Sequence, residues 1–308
     1  MSEHHHHHPC GHDHGPVDTT GRAFAVGVVL NLGFVIIEAG FGLYSNSLSL
    51  LADAGHNFSD VLGLLAAWGA LLLARRLPTP RFTYGMRGST ILAALANAML
   101  LLIAIGGIAW EAIRRLSNPA PVNETMIIWV ALIGFVINLG TALMLMKGRA
   151  HDLNLKGAFL HMVADAAVSL GVAAAGLGMM WTGWLWLDPV ISLVIAVVIF
   201  IGTWDLLKQS LRLSLHGVPD DIDTAEVRAF LSGLPQVTEV HDLHIWGMST
   251  TETALTAHLV VCGSHPGNAF LGQLAEELEH RFRISHATIQ IELSDSETVC
   301  RLAPEHVV

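Results

Sequence analysis

Two apolar stretches carry the residues best able to do chemistry. The first, Leu51–Asp60, reads LADAGHNFSD and holds Asp53, His56 and Asp60. Residues three and four apart on a helix share a face, so all three point the same way. The second, Gly157–Asp165, reads GAFLHMVAD and sets His161 four residues before Asp165. Carboxylates at bilayer depth are costly and seldom kept without a use. For either stretch alone, a polar patch that joins two helices is the structural alternative. Together, two His-x-x-x-Asp pairs supply two imidazoles and two carboxylates, a complete tetrahedral set for a borderline divalent ion such as zinc. The imidazoles favour zinc or cadmium, whereas an all-carboxylate set suits harder ions. Ligation needs neutral His and ionised Asp, so metal and protons compete for the same atoms. A site that alternates its exposure then exchanges ion for proton without any enzyme chemistry. Asp53, one turn before His56, is either a helix cap near the outer surface or a group that helps release the ion or take up protons.

Further candidate ligands stand at both ends of the chain. His4, His5, His6, His7, His8, Cys10, His12 and His14 crowd the start. Neutral imidazoles in such a tract bind transition metals. The expected role is capture of metal near an entrance, and an expression tag is the alternative. Near the other end stand His241, His244, His258 and His286, with Glu292. Exposed histidines on a small sheet are the structural alternative there.

The elements that must position these groups are mostly membrane spans. The chain is 52% hydrophobic and only 14% charged, less charged than a soluble globular protein. Six apolar runs of the length a bilayer requires are expected at about 22–44, 48–73, 89–113, 125–146, 158–181 and 189–207. Glu38, Asn97 and Asn138 lie inside them and read as polar groups that join helices. Trp181, Trp184 and Trp186 form an interfacial belt. Alternate loops hold most of the Lys and Arg, among them Arg75, Arg76, Arg81, Arg87, Lys147, Arg149 and Lys156. Positive loops stay inside, so both termini are expected in the cytoplasm. A net charge of -10 gives no pull toward nucleic acid. Cys10, Cys262 and Cys300 are too scattered for a disulfide framework and fit a reduced setting. The start lacks the basic-then-apolar form of a cleaved signal peptide, so the first apolar run reads as a retained span.

After Lys208 the patterning changes to α-β-β-α-β, enough for a small two-layer domain. The chain thus divides into a disordered histidine-rich tail (1–20), a transmembrane domain (21–208), a small cytoplasmic α+β domain (209–296) and a C-terminal tail (297–308).

The chain resembles a cation diffusion facilitator, most closely the zinc-exporting members with a His/Asp–His/Asp membrane site. LADAGHNFSD, TYGMR, HMVAD and HDLHIW carry the resemblance, which covers nearly everything after residue 20. It implies an α-helical bundle of six spans with a C-terminal α+β ferredoxin-like cytoplasmic domain. It implies a homodimer in a bacterial inner membrane that exports zinc, and cadmium with it, against an inward flow of protons. For the tail it implies a zinc site with His241, His258 and Glu292, and His286 as an additional ligand. His244 is a weaker candidate, since alternation puts it on the strand face opposite His241. Gln290 stands where some relatives have a ligating His, which puts a second tail metal in doubt. The loop site some relatives carry after the second span is expected to be missing, because that loop holds arginines and no His. Two other readings remain open: a membrane haem protein ligated by His56 and His161, and a membrane-anchored metal sensor that reads zinc through its tail.

Overall fold

A computed structural model describes residues 32–74, 76–146, 153–294 and 300–304. The histidine-rich start, the first part of the first expected span, Arg75 and the loop 147–152 lie outside the described residues. Six helices come first: α1 (Leu32–Tyr44), α2 (Leu48–Ala74), α3 (Ser89–Ser117), α4 (Glu124–Leu145), α5 (Leu153–Thr182) and α6 (Leu187–Ser214). Among the described residues, four are long and apolar enough to cross a membrane: α3, α4, α5 and α6. At 29, 30 and 28 residues, α3, α5 and α6 exceed the about 20 that a hydrocarbon core needs, so each continues past it. Their exposed faces carry Leu100, Ile103 and Trp110 on α3, Trp129 and Val136 on α4, and Val197 and Ile201 on α6. In water this would be an aggregating surface; against lipid tails it is the matching one. Trp184 and Trp186 stack with ring centroids 5.6 Å apart, just before and at the edge of α6.

The chain forms two compact units. One contains the described residues up to Phe58 together with Ile108–Ile195. Its packing turns on close contacts between small residues and rings. A Cβ added at Gly134 of α4 would stand 2.7 Å from the Phe34 ring of α1 and 3.2 Å from Ser169 Oγ of α5. Only glycine admits that approach, and a larger residue there would cost about 1–3 kcal/mol by overpacking. In α1, Gly42 meets Leu51 closely, whereas Gly33 and Gly40 meet nothing within 4 Å.

The start of α2 is held by α6. Helix N-termini leave backbone N–H groups without partners, and here a carboxylate from another helix supplies them. Asp188, fully buried in the first turn of α6, accepts from the N–H of Leu48 at 2.8 Å and of Ser49 at 3.2 Å. The hydroxyls of Ser47 and Ser49 each donate to Asp188 Oδ1 at 2.6 Å. Ser47 Oγ in turn accepts from the N–H of Leu50, as an N-cap residue does. On the preceding turn, Arg115 grips Asn46 through its carbonyl at 2.6 Å and its side-chain oxygen at 2.8 Å.

The other unit contains Ser59–Gly107 and the chain from Ala196 onward. Here α2 and α3 cross closely: a Cβ at Gly63 would stand 2.9 Å from Asn97 Nδ2, and Ser59 donates to Asn97 at 3.4 Å. After α6 come α7 (Thr224–Ser232), β1 (Val237–Gly247), β2 (Thr253–Val261), α8 (Gly267–Phe282) and β3 (Ile284–Leu293). The order is the α-β-β-α-β read from the pattern. Asp223 caps α7 by accepting from the N–H of Ala225 at 2.7 Å. The sheet order is β1-β2-β3, with β1 antiparallel and β3 parallel to β2. Central β2 is buried almost throughout, and Leu255 and Leu259 pack with Val227, Leu231, Leu274, Leu278 and Ile284. The β1–β2 connection is tied to the start of α3: Thr250 N–H donates to Thr90 Oγ1 at 3.1 Å, and Arg87 pairs with Glu252 at 2.8 Å.

Asp188→Ala leaves buried donors without an acceptor, at about 1–3 kcal/mol each. We expect a thermal unfolding midpoint in detergent several degrees below wild type, with Asp188→Asn intermediate; an unchanged midpoint would show that α2 needs no such anchor.

Candidate functional site

The middle of α2 and the middle of α5 bring His56, His161 and Asp165 together. His56 Nε2 lies 3.5 Å from Asp165 Oδ1, and His161 Nε2 lies 3.5 Å from Asp165 Oδ2. The two rings meet edge to face, with centroids 5.7 Å apart. Each residue offers a ligand atom within 4.8 Å of the others. Ligands about 2.0–2.1 Å from a tetrahedral zinc are about 3.3 Å from each other, so the group is nearly closed to the size of such an ion. The Asp165 side chain is 3% exposed and that of His161 41%, so the acid is the dry floor and the ring the open rim. Asp165 Oδ2 is buried and accepts no hydrogen bond among the described residues. Asp60 follows His56 by one turn on α2 and is half-buried.

Asp53 is fully buried, one turn before His56. Its Oδ2 accepts from the Ser169 hydroxyl of α5 at 3.0 Å, and its Oδ1 receives a long contact from Asn57 Nδ2 at 3.4 Å. It is therefore built into the packing and does not cap an exposed helix end. Glu38 of α1, also fully buried, faces the Asp53 carboxyl and the Asn57 amide.

A second group lies on the sheet. His241 on β1 pairs across to His258 on β2, with ring centroids 5.2 Å apart. Glu292 on β3 brings Oε1 to 3.4 Å from His241 Nε2 and 3.0 Å from His258 Nδ1. Cys300 adds its Sγ, 3.5 Å from His258 Nδ1. These four residues offer ligand atoms that all lie within 4.8 Å of one another. His258 turns its other nitrogen to Asp242 at 3.4 Å, the carboxylate–histidine arrangement that orients a metal-binding ring. His241 is 5% exposed, yet neither ring nitrogen makes a hydrogen bond among the described residues. Buried polar atoms without partners are rare, and a metal ion would supply the missing one.

The electrostatics of the group suit a cation. Burial pushes the Glu292 carboxyl up, but hydrogen bonds from Cys300 and Gln290 and the nearby His241 and His258 outweigh it and hold it below its usual value. The Leu302 backbone draws the Cys300 thiol down, but burial and the carboxylates of Glu292 and Asp242 prevail and hold it above its usual value. A bound metal would displace that thiol proton.

The tail differs from expectation at His286 and Cys300, and at His244 in the reason for its position. His286 is not in this group: its ring is edge-on to Tyr84, with centroids 5.6 Å apart. His244 is also outside it, because Asp242 Oδ1 engages its Nε2 at 2.9 Å. Simple alternation does not explain this, since the register shifts between His241 and His244 and Asp242 adopts φ 49°. Such a bulge breaks the two-residue period and re-aims side chains. Cys300 was missed, because a single cysteine seven residues beyond the end of β3 carries no spacing signal. Gln290 pairs opposite His258 and donates to Glu292 at 2.9 Å, so it supports a ligand. His4, His5, His6, His7, His8, Cys10, His12 and His14 lie outside the described residues.

Comparison with known proteins gives the same organisation. Residues 24–213 match the cation efflux transmembrane domain, and residues 219–294 match the cytoplasmic domain of cation efflux proteins. The metal cation efflux system protein CzcD of Cupriavidus metallidurans is 37% identical over 93% of this chain and 91% of its own length. The zinc transporter ZitB of Escherichia coli is 36% identical over 93% of this chain and 92% of its own. A cadmium, cobalt and zinc/H(+)-K(+) antiporter of Bacillus subtilis is 34% identical over 92% of each. With both domains matched and the helices of a membrane protein in place, this chain belongs to the cation efflux family, the cation diffusion facilitators, which are membrane transporters and not enzymes.

Proposed function

We propose that the chain moves zinc, and cadmium with it, out of the cytoplasm in exchange for protons. The carrying observation is the convergence of His56, His161 and Asp165 at spacings of 3.5 Å. Asp60 is the fourth ligand, one turn beyond His56 on the same helix. Two imidazoles and two carboxylates close a tetrahedron around a doubly charged ion and replace its water. Protons arriving on His and Asp expel the ion, and the ion entering expels protons. Alternating access of this one site gives antiport. A haem between His56 and His161 fits poorly, since the Asp165 carboxyl stands against both rings where a porphyrin would lie.

In this reading, α1 to α6 are six spans, with α1 continuing upstream of Leu32. Lys and Arg concentrate on the side of both termini, which puts them in the cytoplasm of a bacterial inner-membrane protein. The three-stranded sheet with its parallel β2–β3 pair and crossover α8 supports a ferredoxin-like domain, and the match to the family's cytoplasmic domain supports a homodimer. The domain boundaries at 20, 208 and 296 follow. In the tail, His241, His258, Glu292 and Cys300 are the fitting set for a resident zinc. Bound there, the ion would cross-link three strands and the C-terminal segment. The start of the chain, His4 to His14, gathers metal near the entrance, and Asp53 takes part in proton uptake.

Three outcomes test the reading. Asp60→Ala and His161→Ala each lower zinc uptake into inside-out vesicles by more than about 100-fold, beyond the 10–100-fold typical of an outer-shell change, while dimers persist. Near-normal uptake in both would refute the site. Zinc flux in liposomes drives protons the opposite way, read with an entrapped pH dye, and a flat trace during strong flux would contradict antiport. Cys300→Ser weakens tail zinc about 10–100-fold in chelator competition on the full chain, whereas equal affinity would remove Cys300 from the set.

A further inference from the structure

We infer that Glu38 and Asp53 form a proton-carrying carboxyl pair, coupled to the transported ion by charge and not by shared ligand atoms. The inference rests on the antiport reading above and adds a second place for the proton.

Glu38 and Asp53 are both fully buried, on α1 and α2. The two carboxyls face each other. Neither Glu38 oxygen makes a well-aligned hydrogen bond among the described residues. A buried, unpartnered acid aimed at a second buried acid is not a helix-joining contact, because such contacts need a donor. A proton on Glu38 supplies that donor and makes an O–H···O bond to Asp53. Asp53 is already prepared as the acceptor, with Ser169 donating at 3.0 Å and Asn57 at 3.4 Å. Neither of those partners is a proposed metal ligand.

The surrounding charges point the same way. Glu38 feels Asp53 from α2 and Asp165 from α5. Asp53 feels Glu38, Asp165 and His56. Helix α4 brings no titratable group beyond Glu124 in its first turn, and no Lys or Arg lies within α1, α2 or α4. Among the described residues, three acids thus share a buried region in which no Lys or Arg is buried with them. Like charges in such a place cannot all ionise, so the pair retains a proton while the ion is absent. When a doubly charged ion enters the His56–His161–Asp165 group, its field favours the ionised pair. The Glu38 O–H bond then breaks, the proton passes to water, and the bonding electrons stay on the carboxylate. When the ion leaves, a proton from the opposite side restores the neutral acid. Charge is thereby balanced near the ion without a proton reaching a ligand atom.

The test uses the full-length protein in liposomes and in detergent. In infrared difference spectra, zinc addition should bleach a protonated-carboxyl band in wild type; Glu38→Gln should lose that band. By the same coupling, zinc binding at the membrane group should weaken modestly and lose part of its pH dependence, while protons moved per zinc fall by one and Glu38→Asp restores the ratio. A band and a proton-to-zinc ratio both unchanged in Glu38→Gln would overturn the inference. Should that variant not fold, Asp53→Asn decides by the same readouts: retained band loss and ratio as in wild type overturn the pair, a reduced ratio supports it. Absence of proton counterflow in wild type would instead defeat the antiport reading, and the infrared band distinguishes the two failures.

Discussion

One buried carboxylate governs the membrane part. Asp165, 3% exposed in its side chain, stands 3.5 Å from an imidazole on α2 and from another on its own helix. An isolated ion in hydrocarbon is strongly disfavoured, so its surroundings must bring compensating groups close and hold them there. Holding them requires tight packing on each side. Gly134 lets α4 close on Phe34 and Ser169, and Ser169 then reaches Asp53, one turn before His56. At the other end of the same stretch, Asp188 fastens the first residues of α2 through two amides and two hydroxyls. The candidate ligand His56 stands two turns into α2, and its position is set from the helix start.

The parts legible in the sequence were those with a period. The helices α2, α3, α4, α5 and α6 follow apolar runs whose edges are Pro, Gly and charge, and all but α4 overshoot those runs because a helix need not stop where hydropathy falls. This is why α5 begins at Leu153 and α6 continues to Ser214. His161 and Asp165 stand four apart on a helix, so their association followed from spacing. Contacts between distant segments have no such signature. Asp188 stands before a proline at the start of α6, and only the fold reveals that it receives the start of α2. Glu38 read as one more polar residue joining helices. The bulge at Asp242 defeated counting by alternation, since one inserted residue changes which side chains share a face. Cys300 lies beside His258 and Glu292, a grouping of residues far apart in sequence that no local pattern records.

The two candidate metal groups differ in a way that fits the two tasks proposed for them. Both use a pair of imidazoles with carboxylate, but the group on the sheet adds the thiol of Cys300, whereas the membrane group is completed by carboxylate alone. Thiolate is the softer ligand and holds zinc-like ions strongly. Four protein ligands that include sulfur make a closed site, suited to an ion that stays. The sheet group also has Asp242 behind His258 and Gln290 beside Glu292, which orients its ligands further.

A transport site needs the opposite property. Its ion must leave on every cycle, so each ligand should have an alternative to the metal. Imidazole and carboxylate have one in the proton, within reach of ordinary pH when charge is distributed nearby. A thiolate in the same place would bind too well and release too slowly. The lack of cysteine anywhere from α1 to α6 fits the exchange proposed above: there the membrane group would trade affinity for reversibility, and the neighbouring acids Glu38 and Asp53 would supply charge that changes as the ion comes and goes.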